Sequence, residues 1–426
     1  MIYLHVPFCR SFCTYCDFYS EIACRERDAQ TFEAYTQALC AEASDRRDEI
    51  EATRDLDTLY IGGGTPSVLP LSYLNRIIDT LASGGRLPRE GISAANSGTL
   101  ERGLEFLPDR GKPAPGRRNY REFTIEVNPE DIVEKGAEYV RGLLALGVNR
   151  ISMGLQSLDD GILRWMNRRH DAARARQAFA LLREAGVENL SVDLIFGLPQ
   201  LTEATLGHTL DELLRLRPEH ISAYQLSIEE GSTLGRMARE GRFTEASQEQ
   251  CAAQYAQLCR VLGEAGYVHY EISNWALPGR EAVHNSAYWT RHPYVGLGPA
   301  AHSFDGTTRS WNSQFLAPAA SCLRKRPSDP TAALRLRSPL LRCRGWHGFR
   351  RQWLLREGYE VLSAAEEREE QLFLGLRTAR GIPEDLAGPG AAPLLADGRL
   401  TRTPEGRLRI PEAYWFVSDD IISDLI

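Results

Sequence analysis

Over the first 230 residues, short apolar runs alternate with longer stretches whose apolar positions recur every three or four residues. The runs 2–6, 58–61, 123–127, 150–154, 190–195 and 220–226 read as strands. The stretches 32–52, 71–81, 134–146, 172–185 and 203–216 read as helices. Strands that alternate with helices imply βαβ units and a parallel sheet, so the fold class is α/β. In such sheets ligands bind on the βα loops, at the carboxyl ends of the strands. An open doubly wound sheet and a barrel fit the alternation equally well.

Two segments break the rhythm. Residues 84–119 hold eleven Gly or Pro in 36 positions without a period, and read as an irregular insertion. Residues 317–351 carry nine Lys or Arg against one acid, Asp329, and read as a basic, poorly ordered linker. The chain is thus expected to divide into a core at 1–230, an extension at 231–316, that linker, and a C-terminal domain at 352–426. A charged helical pattern at 362–382 opens the last of these, and 394–402 and 408–414 supply further elements.

Composition narrows the function. With 426 residues, 43% of them apolar, the chain can bury a large core. Its net charge of −7 argues against broad nucleic-acid binding. The basic segment holds +8 of local charge, which leaves −15 on the rest. Such a patch suits an acidic partner or an anionic lipid surface. No stretch reaches 18 consecutive apolar residues, so no membrane span is expected. The first six residues lack the basic start and long apolar run of a signal peptide, so a cytoplasmic protein is expected.

Nine cysteines in such a chain do not suggest a disulfide framework. Six are scattered and read as small buried hydrophobes. Cys9, Cys13 and Cys16 are different, because chance gives their CxxxCxxC spacing only about 0.004 times per chain. Structural zinc takes four N or S ligands, and the fourth here would have to be His5 or a distant residue. Iron–sulfur cubanes also normally take four thiolates. Three thiolates leave one iron open to a small ligand, which favours a 4Fe–4S cluster over zinc.

The cysteines sit in Tyr3-Leu4-His5-Val6-Pro7-Phe8-Cys9 and Cys13-Thr14-Tyr15-Cys16-Asp17-Phe18. This context resembles the radical S-adenosylmethionine (SAM) superfamily. More narrowly, it resembles the oxygen-independent coproporphyrinogen III oxidase family and its HemW-type heme-chaperone branch. The resemblance implies a partial (β/α)6 barrel with a small C-terminal α/β or winged-helix-like domain. It implies that Cys9, Cys13 and Cys16 hold the cluster, and that SAM chelates the open iron and is cleaved to a deoxyadenosyl radical. That chemistry belongs to the cofactors. Gly62-Gly63-Gly64-Thr65-Pro66 follows the second strand, and the resemblance places Gly63, Gly64 and Thr65 at the methionine part of SAM. Glu126, at the end of the third strand, is implied to meet the SAM amino group, and Tyr3 belongs to the same implied set. Gln156 in SMGLQS, Arg168 in NRRH and Asp193 in DLIFGLPQ are implied to line the adenosyl side or a second SAM-like pocket. A carboxylate suits a ribose diol, while amide and guanidinium groups suit a carboxylate or a porphyrin propionate.

Residues 284–289 read His-Asn-Ser-Ala-Tyr-Trp, the HNxxYW pattern of the heme-chaperone branch. A neutral imidazole is a common axial heme ligand. The resemblance therefore implies heme ligation by His284, with Tyr288 and Trp289 stacking on the macrocycle and His302 as a second candidate. Oxidases of the family carry another Cys two residues after the last cluster Cys, where this chain has Phe18. The expected function is a chaperone that binds heme, the cluster and SAM and delivers heme to acceptor hemoproteins, respiratory and membrane-associated ones among them. The alternative is an oxidase that decarboxylates porphyrin propionates, and a rival of another class is a tailoring radical-SAM methylase or dehydrogenase. The pattern leaves monomer and dimer both open.

Overall fold

Each strand read from the sequence forms, with ends that differ by two residues or fewer. They are β1 (Ile2–Val6), β2 (Thr58–Gly63), β3 (Glu122–Val127), β4 (Arg150–Gln156), β5 (Leu190–Phe196) and β6 (His220–Gln225). The six lie side by side in chain order and all run parallel. Their crossover helices are α1 (Asp28–Asp45), α2 (Leu71–Ala82), α3 (Pro129–Ala145), α4 (Ala172–Glu184) and α5 (Glu203–Leu216). Side chains alternate along each strand. Leu59, Ile61, Phe123, Ile125, Ile151, Met153, Val192 and Ile221 are buried in the shared apolar core. The intervening Tyr60, Thr124, Glu126, Ser152, Asp193 and Ser222 line the concave side. A parallel sheet with an apolar outer face and a polar inner one is a partial (β/α)6 barrel.

The computed structural model describes residues 1–23, 27–83, 119–314 and 356–426. Apart from Asn119, the insertion read at 84–119 lies outside the described residues, as does the linker read at 317–351.

The boundary drawn at residue 230 does not divide the sheet. Beyond it, β7 (Val268–Glu271) and β8 (Asn274–Ala276) add antiparallel strands outside β6, and β9 (Val295–Leu297) adds a parallel strand outside β1. The full order is β9-β1-β2-β3-β4-β5-β6-β8-β7. Strands of three or four residues are too short to show a period, which is why the sequence hid them. After a short helix at Thr233–Arg239, this stretch carries α6 (Gln248–Glu264) and α7 (Val283–Trp289). The Glu122 carboxylate, at the start of β3, accepts the backbone N–H groups of Val283 at 2.7 Å and His284 at 2.9 Å. That cap seats α7 across the amino ends of β2 and β3, as a floor to the barrel.

The boundary at 352 also shifts. A second sheet joins β10 (His302–Phe304), β11 (Thr308–Asn312) and β12 (Arg356–Val361). The C-terminal unit then begins at α8 (Ala364–Gly375), whose Ser363–Glu366 capping box fixes its start. After α8 come β13 (Ile382–Pro383), short helices at Glu384–Ala387 and Ala391–Ala396, β14 (Thr401–Arg402) and β15 (Arg407–Arg409). The sheet order β13-β15-β14 is that of a winged helix. This unit docks on the β7 edge of the barrel, where the Ile272 N–H donates to the Arg377 carbonyl and the Ala379 N–H to the Tyr270 carbonyl, both at 3.0 Å. Among the described residues no helix is long and apolar enough to cross a membrane.

Candidate functional site

The concave side of the barrel holds a cavity of ≈ 700 Å³, open at the carboxyl ends of the strands. That size suits a cofactor, whose sites span about 300–1,000 Å³. The thiols of Cys9, Cys13 and Cys16 line its mouth, half-buried and free. Their loop is anchored at both flanks. Thr14 donates its N–H to the Met166 carbonyl at 3.2 Å and accepts from the Leu234 N–H at 2.8 Å. The Asn167 side chain donates to the Phe12 carbonyl at 2.7 Å.

Among the described residues the three thiols are not one of the groups whose ligand atoms all converge within 4.8 Å. A single ion requires such convergence, whereas a cluster takes one thiolate on each of several irons. His5 does not complete a zinc set either. Its ring nitrogens are engaged by the Tyr3 hydroxyl at 3.1 Å and the Tyr19 carbonyl at 2.8 Å.

The glycines of the second βα turn serve close packing. Gly63 has φ +116°, and a Cβ there would sit 2.8 Å from the His5 ring. A Cβ on Gly64 would meet the Phe8 carbonyl at 2.8 Å. The turn thereby presses onto the start of the cysteine loop and sets Thr65 Oγ1 3.6 Å from Cys9 Sγ. Asn128 then donates to Thr65 Oγ1 at 3.1 Å and accepts from Arg168 at 2.6 Å.

Arg168 lines the cavity, as do Arg10, Arg150 and Arg169. Its Nη2 also donates to the Gly154 carbonyl at 2.8 Å, and its Nη1 lies 3.5 Å from Cys13 Sγ. Its buried Nε has no partner, and neither has the Thr124 hydroxyl deeper in the cavity. Unpaired buried polar groups are costly, so these two are poised for a ligand. Gln156 also faces the cavity, from φ +69° at a register break between β4 and β5. Bulges of this kind re-aim a side chain beside a site.

Among the acidic residues of the lining, Glu126 and Asp193 stand on the inner face of the sheet. Glu126 accepts from the Tyr60 hydroxyl at 2.8 Å and from the Gly63 N–H at 3.1 Å, yet burial and the nearby Asp193 push its pKa up to about 7. Burial likewise raises Asp193 to about 6, although Ser152 donates to it at 3.4 Å. Two buried carboxyls with raised pKa values favour a cationic guest. SAM offers an ammonium that a buried carboxyl can take, a carboxylate that suits the spare guanidinium N–H, and ribose hydroxyls that suit a second carboxyl and the remaining polar groups. The donor set fits that molecule.

Residues 3–213 match the Radical SAM superfamily. The heme chaperone HemW of Bacillus subtilis (strain 168) is 31% identical over 380 residues, covering 89% of this chain and 84% of that protein. The heme chaperone HemW of Mycobacterium tuberculosis (strain ATCC 25618 / H37Rv) is 31% identical over 420 residues, covering 96% and 92%. The chain belongs to the HemW family of radical SAM proteins. Coproporphyrinogen III oxidase (HemN) from Escherichia coli superposes with a TM-score of 0.68 over 100% of this chain and 88% of that one, and at 19% identity it shows the shared fold alone. Membership of the radical SAM superfamily implies a 4Fe–4S cluster and SAM as cofactors.

Not every residue expected at the site of this HemW-family chain is there. Tyr3 does not line the cavity, but stacks behind Tyr60 at 6.1 Å. Tyr60 takes its place at the wall. His284 likewise stands away from the cavity wall. Its ring is fully buried on α7, with Nδ1 2.8 Å from the Thr58 hydroxyl and Nε2 3.1 Å from the Tyr288 hydroxyl. Neither nitrogen is open to an iron, and Tyr288 is spent on this contact and on an edge contact with Tyr294. Asn285 of the same motif does reach the cavity floor. Tyr60, Thr124, Asn128 and Arg150 were missed, although counting back by twos along each strand from Glu126 and Gln156 would have found Thr124 and Arg150.

The raised carboxyls set a pH dependence. An unfolded Glu gives up its proton near pH 4.5, before the folded Glu126 does, so this group costs stability as pH rises from 4.5 to about 7. A cationic ligand binds the ionised form. SAM affinity of the cluster-loaded protein is therefore expected to rise between pH 6 and pH 8, by no more than about tenfold per unit. Glu126→Gln should flatten that profile in a calorimetric titration; an unchanged slope would remove Glu126 from the amino-group site.

Proposed function

We propose that this protein is a heme chaperone, as its relatives are named, which binds heme together with a 4Fe–4S cluster and SAM and passes heme to acceptor hemoproteins. Cys9, Cys13 and Cys16 hold the cluster, Glu126 takes the SAM amino group, Arg168 and Gln156 take its carboxylate or a propionate, and Asp193 takes the ribose. When bound, the reduced cluster and SAM together supply one-electron radical chemistry. The protein's own part is orientation and exclusion of water, through a loop pinned on both flanks and a lumen closed below by α7.

The observation that favours a chaperone over an oxidase is Phe18. It stands where the oxidases have a further cysteine, lines the cavity mouth and is 74% exposed. An exposed phenyl at a polar mouth offers a flat apolar guest a contact and offers no thiol chemistry. His302 becomes the better axial ligand. It is exposed, stacked on Trp311 at 5.9 Å, and held below the usual imidazole pKa by partial burial and Arg309, so its ring is neutral at pH 7.

Incubation of the reconstituted protein with coproporphyrinogen III, SAM and a reductant is expected to yield no protoporphyrinogen, while heme titration gives a stoichiometric Soret shift that His302→Ala weakens. Robust protoporphyrinogen formation would overturn the chaperone reading. An unchanged Soret titration in His302→Ala would remove the axial assignment alone.

A further inference from the structure

One cluster of metal-ligand side chains stands apart from the barrel cavity. Cys259 on α6, His269 on β7 and Glu412 in the C-terminal unit present a thiol, Nδ1 and a carboxylate oxygen that all lie within 4.8 Å of one another. Nδ1 is 3.9 Å from Cys259 Sγ and 2.7 Å from Glu412 Oε1. The imidazole cannot easily turn, because Trp275 stacks on it at 4.0 Å and 13° and Trp415 meets it edge-on at 4.2 Å.

The far side of the ring offers Nε2 only acceptors. Nε2 faces the Ile272 carbonyl at 3.4 Å and the Tyr255 hydroxyl at 3.5 Å. That hydroxyl already donates to the same carbonyl at 2.8 Å. Both neighbours of Nε2 are therefore acceptors, so the tautomer with its proton on Nε2 suits the far side of the ring and turns the Nδ1 lone pair to Glu412 and Cys259. In that tautomer a lone pair lies 2.7 Å from a carboxylate, and a positive charge between or beside them balances the two. A proton would use only two of the three groups, whereas a divalent cation uses all of them.

An imidazole that ligates through one nitrogen and gives its other N–H to a backbone carbonyl has the usual form of a metal-bound histidine. Thiolate, imidazole and carboxylate together are a zinc set, with Zn–S near 2.3 Å and Zn–N and Zn–O near 2.0–2.2 Å. We propose that Cys259, His269 and Glu412 form a zinc site, with water as fourth ligand, that staples the C-terminal winged helix to the edge of the barrel sheet. The thiol proton leaves to solvent on binding, and no redox change is involved. Glu412 is exposed and gives the ion its entry path. The site lies beside the backbone bridge from Ile272 to Arg377, so metal there ties together the elements that dock the two units.

The test uses the full chain with its iron–sulfur cluster reconstituted, so that the cluster thiols are occupied, and titrates it with Zn²⁺ and separately with Co²⁺. One equivalent of zinc per chain is expected, with unchanged iron content, and Co²⁺ should give a thiolate charge-transfer band in the near ultraviolet. Cys259→Ser should abolish that band and weaken zinc by at least about 100-fold, and Glu412→Gln by about tenfold. Glu412 is a surface position, so loss of zinc in Glu412→Gln with an unchanged circular dichroism spectrum cannot be ascribed to misfolding. Absence of bound zinc in the folded wild type, or zinc retained by both variants, would reduce the trio to an imidazolium–carboxylate pair packed on a thiol. Zinc lost from Cys9→Ala but kept by Cys259→Ser would assign the metal to the cysteine loop instead.

Discussion

Cys13→Ala is expected to strip the protein of its iron–sulfur cluster and, with it, of SAM binding. Removing a group that merely orients a metal ligand costs about 10–100-fold in affinity, and removing a ligand costs more. With two thiolates left on an already open set, the cluster has no stable holding geometry. The loss spreads beyond the iron. Cys13 Sγ is 3.5 Å from Nη1 of Arg168, whose Nε is buried without a partner. Taking away the thiolate leaves a buried guanidinium facing fewer acceptors, so the Asn128 and Gly154 contacts must carry it alone. Anaerobic reconstitution followed by iron and sulfide analysis, the visible spectrum and SAM titration reads the effect. Wild-type iron content in Cys13→Ala would remove this cysteine from the ligand set. Heme affinity, measured in parallel, should survive if heme is held through His302 and Phe18, neither of which this change removes.

His284→Ala is expected to damage the fold, not a heme contact. The ring fills a fully buried place beneath the barrel and satisfies the hydroxyls of Thr58 and Tyr288. Its removal leaves both without a partner and opens a cavity, at a cost of about 3–5 kcal/mol. The urea midpoint followed by circular dichroism should fall accordingly, while the folded fraction still shifts the Soret band. Burial also holds the His284 pKa down to about 3. The unfolded chain takes that proton near pH 6.5 and the folded one does not, so the wild type loses stability as pH falls below 6.5. The variant lacks this group and should lose less over the same range. A variant of native stability with no Soret shift would restore His284 as the heme ligand.

The order of the barrel was legible because it is written locally. Six apolar runs separated by helical periods leave few topologies, and right-handed βαβ crossovers fix the rest. The rim was legible for the same reason, since Cys9, Gly63, Glu126 and Gln156 each lie at or just beyond the end of a strand, whereas Asp193 sits in the middle of β5. Helix starts were less so. The first turn of α3 was missed because Asn128-Pro129 reads as a turn, yet Pro129 occupies the N1 position that its ring favours. That turn matters, because Asp131 accepts from Ser67 at 2.7 Å and Glu130 pairs with His170 at 3.1 Å behind the site. The short strands β7, β8 and β9 were missed because only their neighbours in space, not their own pattern, make them strands.

By itself, then, the sequence determined the six parallel strands and crossover helices of the barrel, their order and most of the groups they offer, because helix and strand periods and βα connections are short-range properties. Tertiary structure alone decided which of those groups meet. It turned His284 inward and closed its two nitrogens, exchanged Tyr3 for Tyr60 at the cavity wall, and brought His269 against Glu412 across 143 residues of chain. Such pairings depend on where elements pack, and packing is set by the whole core and not by any one stretch of it.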